Sequence, residues 1–189
     1  IFALLGLPAF GQEPSPEFLR RVQRLYQSTE TLSGEFKQKT FISLLGRTQE
    51  ASGRMAFKKP GMMRWEYEAP VQKQYMSDGK TLWIYTPEDQ QVIVAKDSKG
   101  AYSRLAMNFL WGLARMDELF RPGRGLKEEE VKLFEKTEGA VLLGLTPKKP
   151  ESEVQRLLVA LDEKTLELRE LVLFNVNGNR VHYALSGLK

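Results

Sequence analysis

The chain contains no cysteine and only one histidine among its 189 residues. The absence of cysteine excludes disulfides, thiolate metal sites and thiol nucleophiles. A single histidine cannot form a multi-histidine metal centre, and the chain also lacks the G-x-S-x-G, P-loop and G-x-G-x-x-G motifs. We therefore predict a protein that is not an enzyme and that uses neither a metal ion nor another cofactor.

A strong excess of charge of one sign is also missing. Lys and Arg number 28 against 24 Asp and Glu, which gives a net charge of +4 and a pI near 9.2. The basic residues are spread along the chain instead of forming one stripe, so we expect no nucleic-acid partner. A composition of 42% hydrophobic and 28% charged residues is typical of one folded globular domain at this length.

No apolar run is long enough to span a bilayer as a helix. The first segment, residues 1–11, is apolar and ends in small residues, among them Ala9 and Gly11. This pattern is typical of the end of a secretory signal peptide, and the alternative is a buried strand or helix end. We predict that residues 1–11 are the remnant of a signal and that residues 12–189 form a single exported, soluble domain.

An amphipathic helix is predicted over residues 15–28. Ser15 is a suitable N-cap, Pro16 suits the first helical position, and Glu17 lies in the first turn. The apolar residues recur at helical spacing at Phe18, Leu19, Val22, Leu25 and Tyr26. The helix is either an ordinary core helix or a lid with a basic outer face, and periodicity alone does not separate these two interpretations.

From Leu32 to about Val94 the apolar period is two, which is typical of strands. The Asp78-Gly79 pair between two such runs predicts a tight hairpin. Helical patterns return between Tyr102 and Leu113 and over 116–120, and further strands are predicted at 131–136, 140–147, 154–162, 166–176 and 180–185. We predict an α+β fold in which a strongly curved antiparallel sheet has helices on its open side.

One strand face is rich in large apolar side chains. Met63, Trp65 and Tyr67 share strand parity, with Lys59 at the edge of the same face. A flexible methionine beside flat aromatic rings suits a site for an apolar ligand, and ordinary core packing is the alternative.

The remaining polar residues that could be catalytic are better explained by structural roles. Glu66 and Glu68 share strand parity with Arg64, so all three side chains are predicted to lie on the solvent-exposed face of their strand. This arrangement favours ion pairs over a catalytic carboxylate pair. The run Glu128–Glu130 is predicted to be a solvated turn. His182 is predicted to be a surface or hydrogen-bonded residue and not a metal ligand. An exported hydrolase that uses Glu66, Glu68 or Asp78 remains an alternative.

Four segments of the chain form a recognisable series in their order and spacing: Phe36–Gln38, Ser52–Met55, Lys59–Trp65 and Ser77–Tyr85. Together they resemble the LolA family of periplasmic outer-membrane lipoprotein carrier proteins. The resemblance implies an unclosed β-barrel with helices covering its concave side. It also implies a monomer whose partners are acylated lipoproteins, an inner-membrane lipoprotein-releasing ABC transporter and an outer-membrane acceptor lipoprotein. A periplasmic lipid-binding or envelope-sensing protein of the same fold is the nearest alternative.

The resemblance also suggests site residues. Met63 and Trp65 fall on the strand that faces the cavity in the family, and Lys59 falls where the family usually has an arginine that ties the lid to the barrel. Lysine keeps the charge but lacks the planar fork of arginine. Family members usually continue with a further strand and loop beyond the position of Lys189, so we expect the chain to be either a fragment or a shortened member of the family. The predicted acyl-chain cavity consists of Val22, Leu25, Phe36, Met63, Trp65, Tyr67, Leu105 and Phe109.

Overall fold

The computed structural model describes residues 14–96, 113, 115–123, 125–149 and 154–189. The predicted signal remnant, residues 1–11, lies outside the described residues. So does most of the helix predicted from Tyr102 to Leu113, including Leu105 and Phe109.

The described strands form one antiparallel sheet of eleven strands, in the order β6-β5-β4-β3-β2-β1-β11-β10-β9-β8-β7. The edge strands β6 and β7 do not pair with each other within the described residues, so the sheet is unclosed. The strands are β1 Thr31–Ile42, β2 Arg47–Lys58, β3 Met62–Ala69, β4 Lys73–Asp78, β5 Thr81–Thr86, β6 Gln91–Lys96, β7 Phe120–Pro122, β8 Ala140–Pro147, β9 Val154–Asp162, β10 Leu168–Asn175 and β11 Arg180–Ser186.

Helix α1 spans Pro16–Ser28, as the sequence predicts. The Ser15 hydroxyl accepts a hydrogen bond from the backbone N–H of Phe18 at 3.1 Å, which caps the helix start. One face of α1 buries Phe18, Val22 and Tyr26 in the main core. Two further short α-helices are described, α2 Met116–Leu119 and α3 Glu128–Val131, and Ser43–Leu45 form one turn of 3-10 helix between β1 and β2. The described part of the chain is therefore mostly β, with less helix than the α+β prediction implies.

The sheet is strongly concave on the face that α1 covers. Trp65 on β3 and Tyr183 on β11 lie three strands apart, which in a flat sheet means about 14 Å. Their ring centroids are nevertheless 5.6 Å apart. The inner faces of the strands therefore converge on a common core, which includes Phe36, Phe57, Met63, Leu82, Leu143, Leu157, Val159 and Leu171.

The prediction of a strand over 131–136 is wrong. Residues 125–139, which we call the outer strap, contain α3 and turns instead of a strand. Leu126 and Phe134 of the strap pack on the outer face of the sheet against Leu158, Ala160 and Val172. The apolar residues of the strap are closely spaced because they cover the outer face of β9 and β10, and this spacing resembles that of a strand.

The prediction of a solvated turn at Glu128–Glu130 is also wrong in part. These residues form the first turn of α3, where acidic side chains are favourable to the helix dipole. Glu128 and Glu129 are exposed, but the Glu130 carboxylate is largely shielded and pairs with the Arg156 guanidinium on β9. This pair fixes the strap to the sheet.

The strap is also held by a buried carboxylate. Glu170 on β10 is 2% exposed, and its side chain accepts hydrogen bonds from the backbone N–H groups of Glu135 and Lys136 at 2.9 and 2.8 Å. His182 on β11 lies with Nε2 at 2.7 Å from Glu170 Oε2. Burial alone would raise the pKa of Glu170, but the bonds from His182 and from the two N–H groups outweigh it and lower that pKa.

A first prediction concerns Glu170→Gln, which keeps the side-chain shape and removes the charge. We expect the free energy of unfolding at neutral pH to fall by about 2 kcal/mol, because the buried charge-assisted bonds weaken. The contribution of the Glu170 carboxylate to the free energy of unfolding is fully present above the pKa of about 4.3 that the group has in the unfolded chain. This contribution is lost as the pH falls through the lower pKa of the folded state. Urea unfolding should be measured at neutral pH and at about pH 3. The difference in the free energy of unfolding between the wild type and the variant should be smaller at the acidic pH.

The matched control is Glu50→Gln on β2, where the side chain is exposed. We expect this variant to match the wild type within about 0.5 kcal/mol. If Glu170→Gln also matches the wild type at neutral pH, the carboxylate does not hold the strap.

Candidate functional site

The concave face carries a cluster of aromatic rings at its centre. Phe36 on β1 is almost fully buried, and its ring centroid lies 4.6 Å from that of Trp65 and 5.1 Å from that of Tyr67. Tyr183 on β11 and Phe57 on β2 extend the cluster, each in an edge-on contact with Trp65. Such offset and edge-on contacts stabilise a rigid apolar wall.

The Tyr67 hydroxyl and the Gln38 amide of this wall are hydrogen-bonded and neutral. The Tyr67 hydroxyl donates to Gln38 Oε1 at 2.8 Å, and the Gln38 amide donates to Thr40 Oγ1 at 2.9 Å. Burial raises the pKa of Tyr67 to about 12, and burial also raises the pKa of Tyr183 well above its usual value. Both phenols therefore stay protonated at neutral pH and add no charge to the wall.

The indole of Trp65 brings one further polar atom into this apolar surrounding. Its Nε1 atom is buried and makes no well-aligned hydrogen bond within the part of the chain that the structure describes. It interacts with the Tyr67 hydroxyl, and this interaction opposes the rise that burial causes in the pKa of Tyr67.

The last turn of α1 is tied to the sheet at two places. Lys59, which follows β2, directs Nζ to the carbonyl oxygens of Tyr26 and Gln27 at 3.2 and 2.5 Å. The Tyr26 hydroxyl accepts a hydrogen bond from the backbone N–H of Leu168 at 2.9 Å. Because α1 has no basic residue in its own last turn, Lys59 supplies the cation that its negative dipole end favours.

The structure places the predicted site residues as follows. Val22, Phe36 and Met63 are buried in the main core, and Leu25, Trp65 and Tyr67 are half-buried against it. Lys59 contacts α1, while Leu105 and Phe109 lie outside the described residues.

Sequence reasoning missed Tyr183 and Tyr75 as members of the aromatic wall. Tyr75 on β4 stacks edge-on against Tyr67 at 5.9 Å. Tyr183 alternates with the outward-facing His182, and this alternation is a signal that places it on the inner face. Its neighbours on β1 and β3 come from the opposite end of the chain, however, and no local pattern indicates them.

The carboxylates of the hydrolase alternative serve structural roles. Glu66 pairs with Arg64 at 2.5 Å, and Glu68 pairs with Arg54 of the neighbouring strand at 2.7 Å. Asp78 accepts the N–H groups of Thr81 and Lys80, and these bonds lower its pKa. A general acid needs a raised pKa, so Asp78 is a turn residue. The described residues contain no group of three or more His, Cys, Asp or Glu side chains arranged to hold a metal ion.

Comparison with protein families identifies the fold's relatives. The model of the family described as outer membrane lipoprotein carrier protein LolA matches residues 27–189. The chain belongs to the LolA family. Membership confirms the resemblance seen in the sequence and places the chain in a periplasmic family of carriers rather than of enzymes. None of the described helices is long and apolar enough to cross a membrane.

Individual relatives agree with this membership. The chain is 32% identical over 164 residues to an outer-membrane lipoprotein carrier protein of Dechloromonas aromatica, a match that covers 86% of this chain and 73% of that relative. It is 39% identical over 94 residues to the corresponding protein of Azotobacter vinelandii, covering 48% of this chain and 45% of that one. The chain thus spans about half the length of several of the relatives it matches.

Among solved structures, an uncharacterized conserved protein from Thermus thermophilus shares the fold. Its TM-score is 0.53 at 11% identity, and the match covers 92% of this chain and 85% of that one. At this identity the likeness concerns the fold alone.

A second prediction concerns the tie between Lys59 and α1. Lys59→Leu removes the cation from two helix carbonyls, and we expect a loss of about 1 kcal/mol in the local stability of α1. Native-state hydrogen exchange should then be about fivefold faster for the amides of α1, while the amides of β9 and β10 keep their protection.

The matched control is Lys59→Arg, which restores both the charge and donors for the same carbonyls. Its exchange rates in α1 should equal or fall below those of the wild type. Unchanged exchange in Lys59→Leu would show that the cation does not hold the helix.

Proposed function

We propose that this chain binds the acyl chains of lipoproteins on the concave face of its sheet and carries them across the periplasm. The observation that supports the proposal most strongly is the aromatic wall around Phe36 and Trp65, which is apolar, uncharged and covered by a separate helix. Family membership supplies the class of cargo. An inner-membrane ABC transporter as the donor and an outer-membrane lipoprotein as the acceptor complete the proposal.

The energetics of such binding are favourable. Each acyl methylene withdrawn from water contributes about 0.8 kcal/mol, so the contributions of a long acyl chain add up to a substantial gain in binding free energy. Methionine adapts to irregular shapes, and Met63 and Met55 both lie in the core beside the aromatic rings. The proposed cavity consists of Val22, Leu25, Phe36, Met63, Trp65, Tyr67, Leu105 and Phe109.

Helix α1 acts as the lid in this proposal. Its last turn is anchored by Lys59 and Tyr26, whereas Gln23 is tied to Asp117 of α2 by one exposed hydrogen bond of 2.9 Å. Displacing α1 would carry its buried residues Phe18 and Val22 off the concave face and uncover apolar wall for an acyl chain to occupy. Release requires that α1 also pack on the empty protein, and its burial of Phe18, Val22 and Tyr26 recovers part of the apolar contact that is lost with the cargo. Lys59→Leu should therefore change the rate of cargo release more than global stability.

The first experiment compares acylated and non-acylated forms of one lipoprotein. Each form is incubated with the purified protein in detergent-free buffer, and complex formation is scored by co-purification. We expect a complex with the acylated form only. Equal binding of both forms, or no binding of either, would contradict lipoprotein carriage and would direct the search to free lipids.

A third prediction identifies the site of binding. Trp65→Glu places a charge against the acyl chains and should reduce the complex by at least about tenfold, since burying an unpaired carboxylate costs several kcal/mol. Trp65→Leu keeps the wall apolar and should retain most binding. Complex yield with the acylated lipoprotein is the measurement.

The control is Thr48→Glu, which adds the same charge at an exposed position of β2 on the outer face. Thermal melting of each variant verifies that it is folded before binding is compared. Normal binding by folded Trp65→Glu would remove Trp65 from the cavity, and equal loss in Thr48→Glu would mean that charge alone is responsible.

A further inference from the structure

Two neighbouring turns expose aliphatic side chains at one end of the sheet. Leu44 and Leu45, in the turn between β1 and β2, are 93% and 56% exposed, and Val176, in the turn between β10 and β11, is 61% exposed. We call these three residues the hairpin tip. Exposed apolar residues that cluster at one place on a protein mark a contact surface more often than single ones do.

The two turns of the hairpin tip are held together. Strands β1 and β11 are hydrogen-bonded up to the pair Phe41 and Arg180. Beyond this pair, the backbone N–H of Ser43 donates to Asn179 Oδ1 at 3.0 Å. A Cβ atom added at Gly178 would lie 3.2 Å from Ser43 Oγ, so the turns approach closely. The aliphatic side chains are therefore presented by one supported structure.

The two turns of the hairpin tip and the strand ends beside them carry positive charge only, and the first acidic residue beyond them on β2 is Glu50. Residues 41–49 and 175–181 together contain two arginines, Arg47 and Arg180, and no aspartate or glutamate. The Arg180 guanidinium lies over the Phe41 ring, 5.4 Å from its centroid, and Arg47 is exposed directly after the turn. Positive charge thus flanks an apolar apex.

We propose that the hairpin tip docks this protein onto a membrane surface that contains anionic phospholipids. Leucine and valine side chains at a protruding apex suit insertion between headgroups, and flanking arginines suit the phosphates of anionic lipids. Three side chains at an apex cannot provide the surface of about 800 Å² per partner that a stable protein interface needs. The inference goes beyond lipoprotein carriage, because it concerns the protein without cargo.

The first test is vesicle flotation with the full, cargo-free chain. Vesicles of phosphatidylethanolamine with phosphatidylglycerol are compared with vesicles of phosphatidylcholine. We expect flotation with the anionic vesicles, weakened by added salt, and at least about fivefold less bound protein for the double variant Leu44→Ser, Leu45→Ser. Val92→Ser is the control, because Val92 is 52% exposed on edge strand β6 and lies outside the tip. It should float like the wild type.

The second test reports on the tip itself. Because the chain has no cysteine, Leu44→Cys and Val92→Cys each allow a single environment-sensitive fluorophore to be attached. The label at position 44 should shift to the blue with anionic vesicles, and the label at position 92 should not. This readout separates tip insertion from any contact that the apolar residues 1–11 make with the vesicles.

Three results would overturn the proposal. In the first, the wild-type chain floats with neither kind of vesicle. In the second, the wild type and the double variant float equally. In the third, the emission of the label at position 44 is the same with anionic vesicles as in buffer alone. If the hairpin tip recognises a protein receptor instead of lipid, the wild-type chain should float with neither kind of vesicle, because the vesicles contain no protein. Binding of acylated lipoprotein is measured separately, so failure of the tip proposal leaves the carrier proposal intact and the reverse also holds.

Discussion

The fold depends on keeping the concave face of the sheet away from water. An unclosed sheet that curves this strongly brings Phe36, Trp65 and Tyr183 into ring contact, and these rings cannot be left exposed without a large free-energy cost. Helix α1 covers the core with Phe18, Val22 and Tyr26. The outer face of β8 to β10 meets the same requirement through the strap, which has its own apolar cluster.

The two covers are held in different ways, and the difference suits their roles. The outer strap is fixed by buried charge, with Glu170 accepting two backbone N–H groups and Glu130 paired with Arg156. Helix α1 is fixed mainly by apolar contact and by ties at its last turn. Apolar contact is not directional, so in the proposed carrier mechanism an acyl chain would replace it with little loss. Buried hydrogen-bonded charge has no such substitute, and in that mechanism the strap would stay in place.

Local features of the sequence were sufficient for much of the fold. Ser15 and Pro16 marked the start of α1, and Asp78-Gly79 marked a hairpin, because capping and turn chemistry act between near neighbours. The strap was misassigned because Leu133 and Phe134 cover a sheet face that only tertiary structure reveals. The partnership of Glu170 and His182 likewise depends on the register between β10 and β11. The roles of Leu105 and Phe109 stay predictions, because both lie outside the described residues.

The anchored end of α1 and the hairpin tip lie at opposite ends of the sheet. Lys59 follows the end of β2 that is remote from Arg47, and Leu168 begins β10 at the end remote from Asn175. A rotation of α1 about its last turn moves the anchored end least. On β1 the distance from Phe36 to the last strand residue, Ile42, is roughly 20 Å. If both proposals hold, a membrane at the hairpin tip would face the end of the sheet remote from the anchored last turn of α1, and acyl chains would leave the aromatic wall along β1 towards that membrane.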